Sequence, residues 1–142
     1  VGADSRVRRG WRVILDASAL VGLILREPQW ERLLERIDQA SRVGMGAPTL
    51  SEASIVLQHM GVSSHRVEGV VASMGPAVIP FTWDHARIAN VAYLRYGKGR
   101  HPAALNYGDC LSYAAAKMVD QPLLFLGNHF SQTDITSALP EN

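Results

Sequence analysis

The chain has a single cysteine, Cys110, in 142 residues. That excludes a disulfide framework and a cysteine-based zinc site, and it fits a reducing cytoplasm. Long apolar runs are also missing. The longest, such as Ala19–Leu25, falls far short of the roughly 20 residues needed to cross a bilayer. Val1–Arg12 is charged, aperiodic and without an apolar core segment, so no secretory signal is expected, and Val1–Gly10 reads as a disordered leader or appended sequence. Charge of one sign is lacking too. A net charge of +1 neither demands nor excludes nucleic acid, because local clustering of cations decides that rather than the sum. With no repeats, low-complexity tracts or linkers, residues 11–142 are expected to form one domain, large enough to bury roughly 68–70% of its unfolded surface without staples.

Within that domain short apolar runs alternate with helical patterns. Arg12–Asp16 reads as a buried strand ending in an acid, after which Asp16 or Ser18 can cap a helix carrying Leu20, Leu23, Ile24 and Leu25. Pro28 suits the first turn of a second helix, amphipathic through Trp30, Leu33, Leu34 and Ile37. Val43–Ala47 is a second strand, and Thr49-Leu50-Ser51-Glu52 reads as a capping box opening a helix that ends at Gly61. Ser63 or Ser64 opens another, with Val67, Val70, Val71 and Met74 on one face. Ala77–Phe81 is a third strand, Thr82 or Asp84 caps a long helix, and Tyr96–Ala103 is a basic, glycine-rich loop. Leu105–Ala116 then runs from loop into a buried helix with Asp109 in its first turn, before a fourth strand at Pro122–Leu126. This alternation implies an α/β fold with a short, mostly parallel sheet of four to five strands flanked by helices.

In open parallel sheets, sites form outside the carboxyl ends of the strands. Asp16, Glu52 and Asp134 each follow a predicted strand, and Asp109 opens the helix before the last one. Taken singly, each acid has an ordinary explanation as a cap or a turn residue, worth about 1 kcal/mol for a cap and about 0.3–1 kcal/mol for a dipole contact. If the strand ends converge, the four share a pocket. At about 4 Å and an effective dielectric near 20, each like-charge pair costs about 4 kcal/mol, more than capping returns. Such a cluster takes up protons or holds a cation. Oxygen ligands alone favour Mg²⁺ or Mn²⁺ over zinc, and Mg²⁺ suits a substrate that brings its own phosphates.

Four segments carry a family resemblance: Val13-Ile14-Leu15-Asp16-Ala17-Ser18, Ser51-Glu52, Asn106-Tyr107-Gly108-Asp109-Cys110, and Leu123-Leu124-Phe125-Leu126-Gly127-Asn128-His129-Phe130 with Thr133-Asp134-Ile135. Together they resemble a PIN domain, and more narrowly the VapC toxins of bacterial type II toxin–antitoxin systems, from Val13 to about Leu139. The resemblance implies a single PIN-like domain and a cytoplasmic, Mg²⁺-dependent endoribonuclease. It also implies a homodimer, inhibited by a cognate antitoxin that inserts into the active-site groove. Asp16, Glu52 and Asp109 match the family's first three acidic positions. Where relatives commonly read Gly-x-Asp-Phe, this chain has Gly127-Asn128-His129-Phe130, which leaves Asp134 as the candidate fourth carboxylate. His129 is then open to three roles: a Mn²⁺ ligand, a phosphate contact, or a neighbour of water at the fourth position.

The catalytic expectation is therefore Asp16, Glu52, Asp109 and Asp134, with Asp16 and Asp109 holding the metal and Ser18 supporting them. Lys98, Arg100 and Asn106 are the expected RNA contacts, the first two on a loop whose glycines let it follow phosphates. The alternative is a catalytically weak module with a degenerate metal site that binds RNA or antitoxin without cutting. Cys110 and Tyr113 are expected in the core, as are Trp30 and Met60. His59, His65 and His85 have no partner at ligand spacing and are expected at the surface. The helices around Trp30–Ile37 and Val67–Met74 either supply exposed apolar surface for partners or simply cover the sheet.

Overall fold

The computed structural model describes residues 12–139, so the expected leader at Val1–Gly10 lies outside the described residues. Four parallel strands, β1 (Arg12–Leu15), β2 (Arg42–Gly46), β3 (Ala77–Ile79) and β4 (Leu123–Leu124), are ordered β3-β2-β1-β4. Six helices connect and cover them: α1 (Ala17–Leu25), α2 (Trp30–Gln39), α3 (Ala47–His59), α4 (Ser64–Met74), α5 (Trp83–Tyr96) and α6 (Tyr107–Val119). Beyond β4 the chain folds back, and Ser137 makes a single parallel bridge to Leu123.

The central strand explains the layering. Side chains alternate across a strand, so a strand buried on both faces must be apolar at every position. In β1, Val13 and Leu15 pack with Leu20, Leu33, Met45 and Leu57 on the side of α1–α4. Ile14 packs on the other side with Ala92, Tyr96, Ala114 and Phe130, against α5 and α6. Gly22 lets α1 approach the end of the sheet: a Cβ there would meet Leu126 Cδ1 at 2.5 Å.

Several local expectations change. Helix α2 starts at Trp30 behind Gln29 in a left-handed conformation (φ 77°), so Pro28 precedes the helix. Helix α3 begins at Ala47 with Gly46 as its cap and Pro48 in the first turn, which tolerates a residue without an N–H. Thr49 is thus a fully buried residue inside the helix, not the start of a capping box. His85 is buried, because its Nδ1 accepts from the Thr82 N–H at 3.1 Å and so closes the start of α5. Met60 is 62% exposed, outside the core.

Candidate active site

The chain order reverses direction between β1 and β4, and their carboxyl ends meet there. Asp16 is the N-cap of α1 and is buried. Its Oδ2 accepts from the Ser18 N–H (3.1 Å) and hydroxyl (2.6 Å), and its Oδ1 accepts from the Ser112 hydroxyl. Ser18 Oγ in turn accepts from the Leu126 N–H at 3.0 Å, locking the end of β4 to the start of α1. A carboxylate with donors on both oxygens is fixed in position, and burial is tolerable because its hydrogen bonds are made.

Asp109 enters from α6. Asn106 caps that helix, its Oδ1 accepting from the Asp109 N–H (2.8 Å) while Asp109 Oδ2 accepts from the Asn106 N–H (3.0 Å). The same Oδ2 lies 2.8 Å from His129 Nδ1. A carboxylate oxygen accepts, so in this contact Nδ1 donates. Glu52 comes from α3, and its carboxylate lies directly against Gly108, where any Cβ would fall inside it. Burial first, then the charges of Asp16 and Asp109, raise the Glu52 pKa above the usual carboxylate range. Three carboxylates from three helices therefore share one field, and no Lys or Arg pairs with any of them among the described residues.

Asp134, expected beside them, is held elsewhere. Its Oδ1 accepts from the Tyr113 hydroxyl at 2.7 Å, and its Oδ2 lies 3.1 Å from Lys117 Nζ and 3.9 Å from Arg95. Burial pushes its pKa up, but hydrogen bonds from Tyr113 and Lys117, with the charges of Lys117 and Arg95, outweigh this and hold it low. Cys110 is buried beside Asp109, and burial followed by that charge pushes its thiol up to about 11, too high for a thiolate nucleophile at neutral pH. Lys98 and Arg100 are exposed on a turn fixed by Lys98 N–H to Leu105 O (2.9 Å) and Leu105 N–H to Tyr96 O (3.0 Å).

Sequence reasoning missed Ser112 and Gly108. Ser112 had a signal, since it is the one serine in a mostly apolar helix, and the fold buries it fully. Gly108 had a weaker one, a glycine inside a helix where alanine is intrinsically favoured.

Among the described residues, no group of three or more His, Cys, Asp or Glu side chains is drawn together closely enough to hold a metal ion. The donor set nonetheless fits a hard cation. It is all oxygen, open, and electrostatically unbalanced, as suits Mg²⁺, which typically keeps several waters and takes one or two protein carboxylates. A buried, pre-positioned carboxylate at a strand end, facing others from flanking helices, makes this an acidic site at the carboxyl edge of an α/β sheet.

The sequence model of the PIN domain matches residues 13–135. Over 126 residues the chain is 44% identical to a VapC ribonuclease of Mycobacterium bovis and to ribonuclease VapC36 of Mycobacterium tuberculosis, covering 87% of this chain and 91% of theirs. A ribonuclease VapC of Mycolicibacterium smegmatis is 39% identical over 127 residues, 88% of this chain and 98% of that one. The chain belongs to the PIN-domain family and, within it, to the VapC ribonucleases. The crystal structure of M. tuberculosis VapC20, described as a sarcin-ricin loop cleaving toxin, superposes with a TM-score of 0.70 at 17% identity, covering 90% of this chain and 99% of that one, and so shares the fold.

Proposed function

We propose that this chain is an endoribonuclease toxin that hydrolyses RNA phosphodiester bonds with a divalent cation, Mg²⁺ or in its place Mn²⁺, held by Asp16 and Asp109. The observation that carries the reading is the convergence of three carboxylates with no Lys or Arg among the described residues to balance them. A bound cation of this kind supplies charge stabilisation at a phosphoryl oxygen and acidifies a water. The chain's own groups arrange the rest. Ser18 and Ser112 hold both oxygens of Asp16, and Asn106 and His129 aim Asp109. Glu52, whose affinity for a proton is raised, is placed to orient the attacking water and take its proton. Asp134, neutralised by its own partners, braces α6 from outside the pocket. Lys98 and Arg100 steer the RNA backbone.

The test is cleavage of a panel of structured RNAs by the purified protein. Cleavage with Mg²⁺ that stops in EDTA and in Asp109→Asn supports the reading, and activity indifferent to both would sink it. One observation favours a second reading, a module that holds RNA or antitoxin without cutting. Asp109 Oδ2 already accepts from two donors, which compete with a cation. A metal titration separates the two, because a dead module binds Mg²⁺ or Mn²⁺ no better than its Asp16→Asn variant.

In this reading the enzyme works in the cytoplasm, and no helix among the described residues is long and apolar enough to cross a membrane. A cognate antitoxin inserts into the active-site groove, and a cleft of about 640 Å³ with Arg32, Glu27, Phe125 and Phe130 in its lining lies beside Gly127, two residues before His129. Exposed apolar surface for a homodimer lies at the end of α3, where Ile55 and Met60 are 53% and 62% exposed. The helices expected from sequence supply less: Leu33 and Ile37 of α2 and Val67 of α4 are buried in the core.

A further inference from the structure

A second cleft, of about 630 Å³, lies between α5 and the start of α6. Its walls include Tyr93, Leu94, Tyr107, Asn90, Asn106 and Lys98. The volume is within the ~300–1,000 Å³ typical of small-molecule sites. The cleft joins the acidic pocket through Asn106, whose Oδ1 and backbone N–H both bind Asp109. Its chemistry is the opposite of that pocket: apolar and aromatic, with two amides, one cation and no carboxylate in its lining.

We infer that this cleft receives a nucleobase of the RNA substrate, next to the phosphodiester that the acidic pocket cuts. The inference rests on the ribonuclease reading and adds how the strand is held. Single-stranded bases are recognised by stacking on aromatic rings and hydrogen bonding at their edges, with a cation for the backbone. Tyr93 and Tyr107 supply rings, and Tyr107 is 76% exposed although it opens a helix whose other residues are mostly buried. Tyr93 is backed by the chain itself: a Cβ at position 97 would lie 2.9 and 3.0 Å from its ring atoms, so Gly97 lets the ring rest on backbone. Asn90 and the NH₂ of Asn106 make no hydrogen bond among the described residues, which leaves them for base edges. Lys98 makes no ion pair among the described residues and stands at the same cleft. A base seated here stacks on exposed rings while its phosphate runs past Asn106 toward Asp109.

Binding of labelled 12-nucleotide A, C and U homo-oligomers is measured in EDTA against an abasic ribose-phosphate 12-mer of equal charge. Stacking worth ~1–3 kcal/mol per base predicts that the wild-type protein prefers at least one base-bearing oligomer by roughly 10-fold or more. Tyr107→Ala and Tyr93→Ala should each cut that preference to about 3-fold or less while leaving abasic binding unchanged. Lys98→Gln should weaken both oligomers equally and lower the salt dependence. Unchanged melting temperatures confirm that the exposed-ring variants fold. A base preference that survives both tyrosine substitutions overturns the inference. So does a change in sedimentation mass without a change in preference, which assigns the face to a second copy of the chain. If the wild-type protein cleaves RNA with Mg²⁺ but the preference is absent, the cleft fails alone. If it neither cleaves nor binds RNA, the ribonuclease reading fails with it.

Discussion

The two ends of α6's polar surface hold carboxylates in opposite states. Near its N-terminus, Asp109 shares a field with Asp16 and Glu52, and among the described residues the groups that answer the charge are hydroxyls, the Ser18 and Asn106 backbone N–H groups and His129. Further along, Asp134 is answered by Tyr113, Lys117 and Arg95. The pKa of Glu52 is raised and that of Asp134 is lowered. Both acids lie near the ends of predicted strands, so position alone does not separate them. What separates them is whether the fold neutralises the charge. A balanced acid has its partners within the fold, whereas an unbalanced cluster is left for something from solution, which in the proposed reading is a cation.

The largest effect that can break this comparison is on catalysis. Asp109→Asn should lower RNA cleavage by more than the ~10–100-fold loss typical of an outer-shell partner, while Asp134→Asn should stay within about 2-fold of wild type. Single-turnover cleavage of one RNA by both variants reads the contrast. Ser112→Ala comes next: it frees one oxygen of Asp16 and should cost about 10–100-fold in metal affinity or activity, measured as the Mg²⁺ concentration for half-maximal cleavage.

Gly108→Ala sharpens the same side of the comparison by separating activity from stability. Alanine is favoured over glycine in a helix by up to ~1 kcal/mol, but its Cβ needs the place taken by the Glu52 carboxylate. Cleavage should fall at least about 10-fold while the melting temperature stays level or rises, as in the loss of a supporting contact. Equal losses in both would mean the helix, not Glu52, was damaged.

The smallest effects are on stability and have opposite signs. In metal-free protein Glu52→Gln removes a repelled carboxylate and should raise the melting temperature, by about 2–4 °C for each ~1 kcal/mol relieved. Asp134→Asn removes exposed ion pairs and should lower stability by about 0.2–1 kcal/mol at neutral pH. The Asp134 contribution has a defined pH direction. Because its folded pKa is depressed, the stabilisation is present above the unfolded value near ~3.9 and fades as pH falls through the folded one. The gap between wild type and Asp134→Asn in acid melts should therefore close below about pH 4.

Much of this was legible in the sequence because it depends on local pattern. The apolar run of β1, the alternation of strands and helices, and the Asn106 cap with Asp109 three residues on are all short-range signals. What escaped depends on neighbours distant in sequence. Thr49 looked like a cap because Thr-x-x-Glu is a capping pattern, but Pro48 lets the helix begin earlier and turns Thr49 toward Ser112, their hydroxyls 3.5 Å apart. His85 looked like a surface residue because no metal-ligand spacing surrounds it, yet its ring closes the turn at Thr82 and packs 5.3 Å from Phe81. Asp134 was expected beside the other acids because it follows a strand and matches a frequent family acid, and only the fold shows Lys117 and Tyr113 presented to it from one face of α6. Ser112 joins Asp16 across 96 positions of sequence, beyond any periodicity argument.

The most direct test of the central claim is metal-dependent protection of the folded protein. Thermal melts of wild type, Asp109→Asn and Asp134→Asn are compared with and without saturating Mg²⁺ or Mn²⁺. A cation held by the unbalanced carboxylates stabilises the native state in proportion to its occupancy, by about 2.7 kcal/mol at a hundredfold excess over Kd. The account predicts an upward shift in wild type and Asp134→Asn and none in Asp109→Asn. A shift that persists in Asp109→Asn and disappears in Asp134→Asn would contradict it.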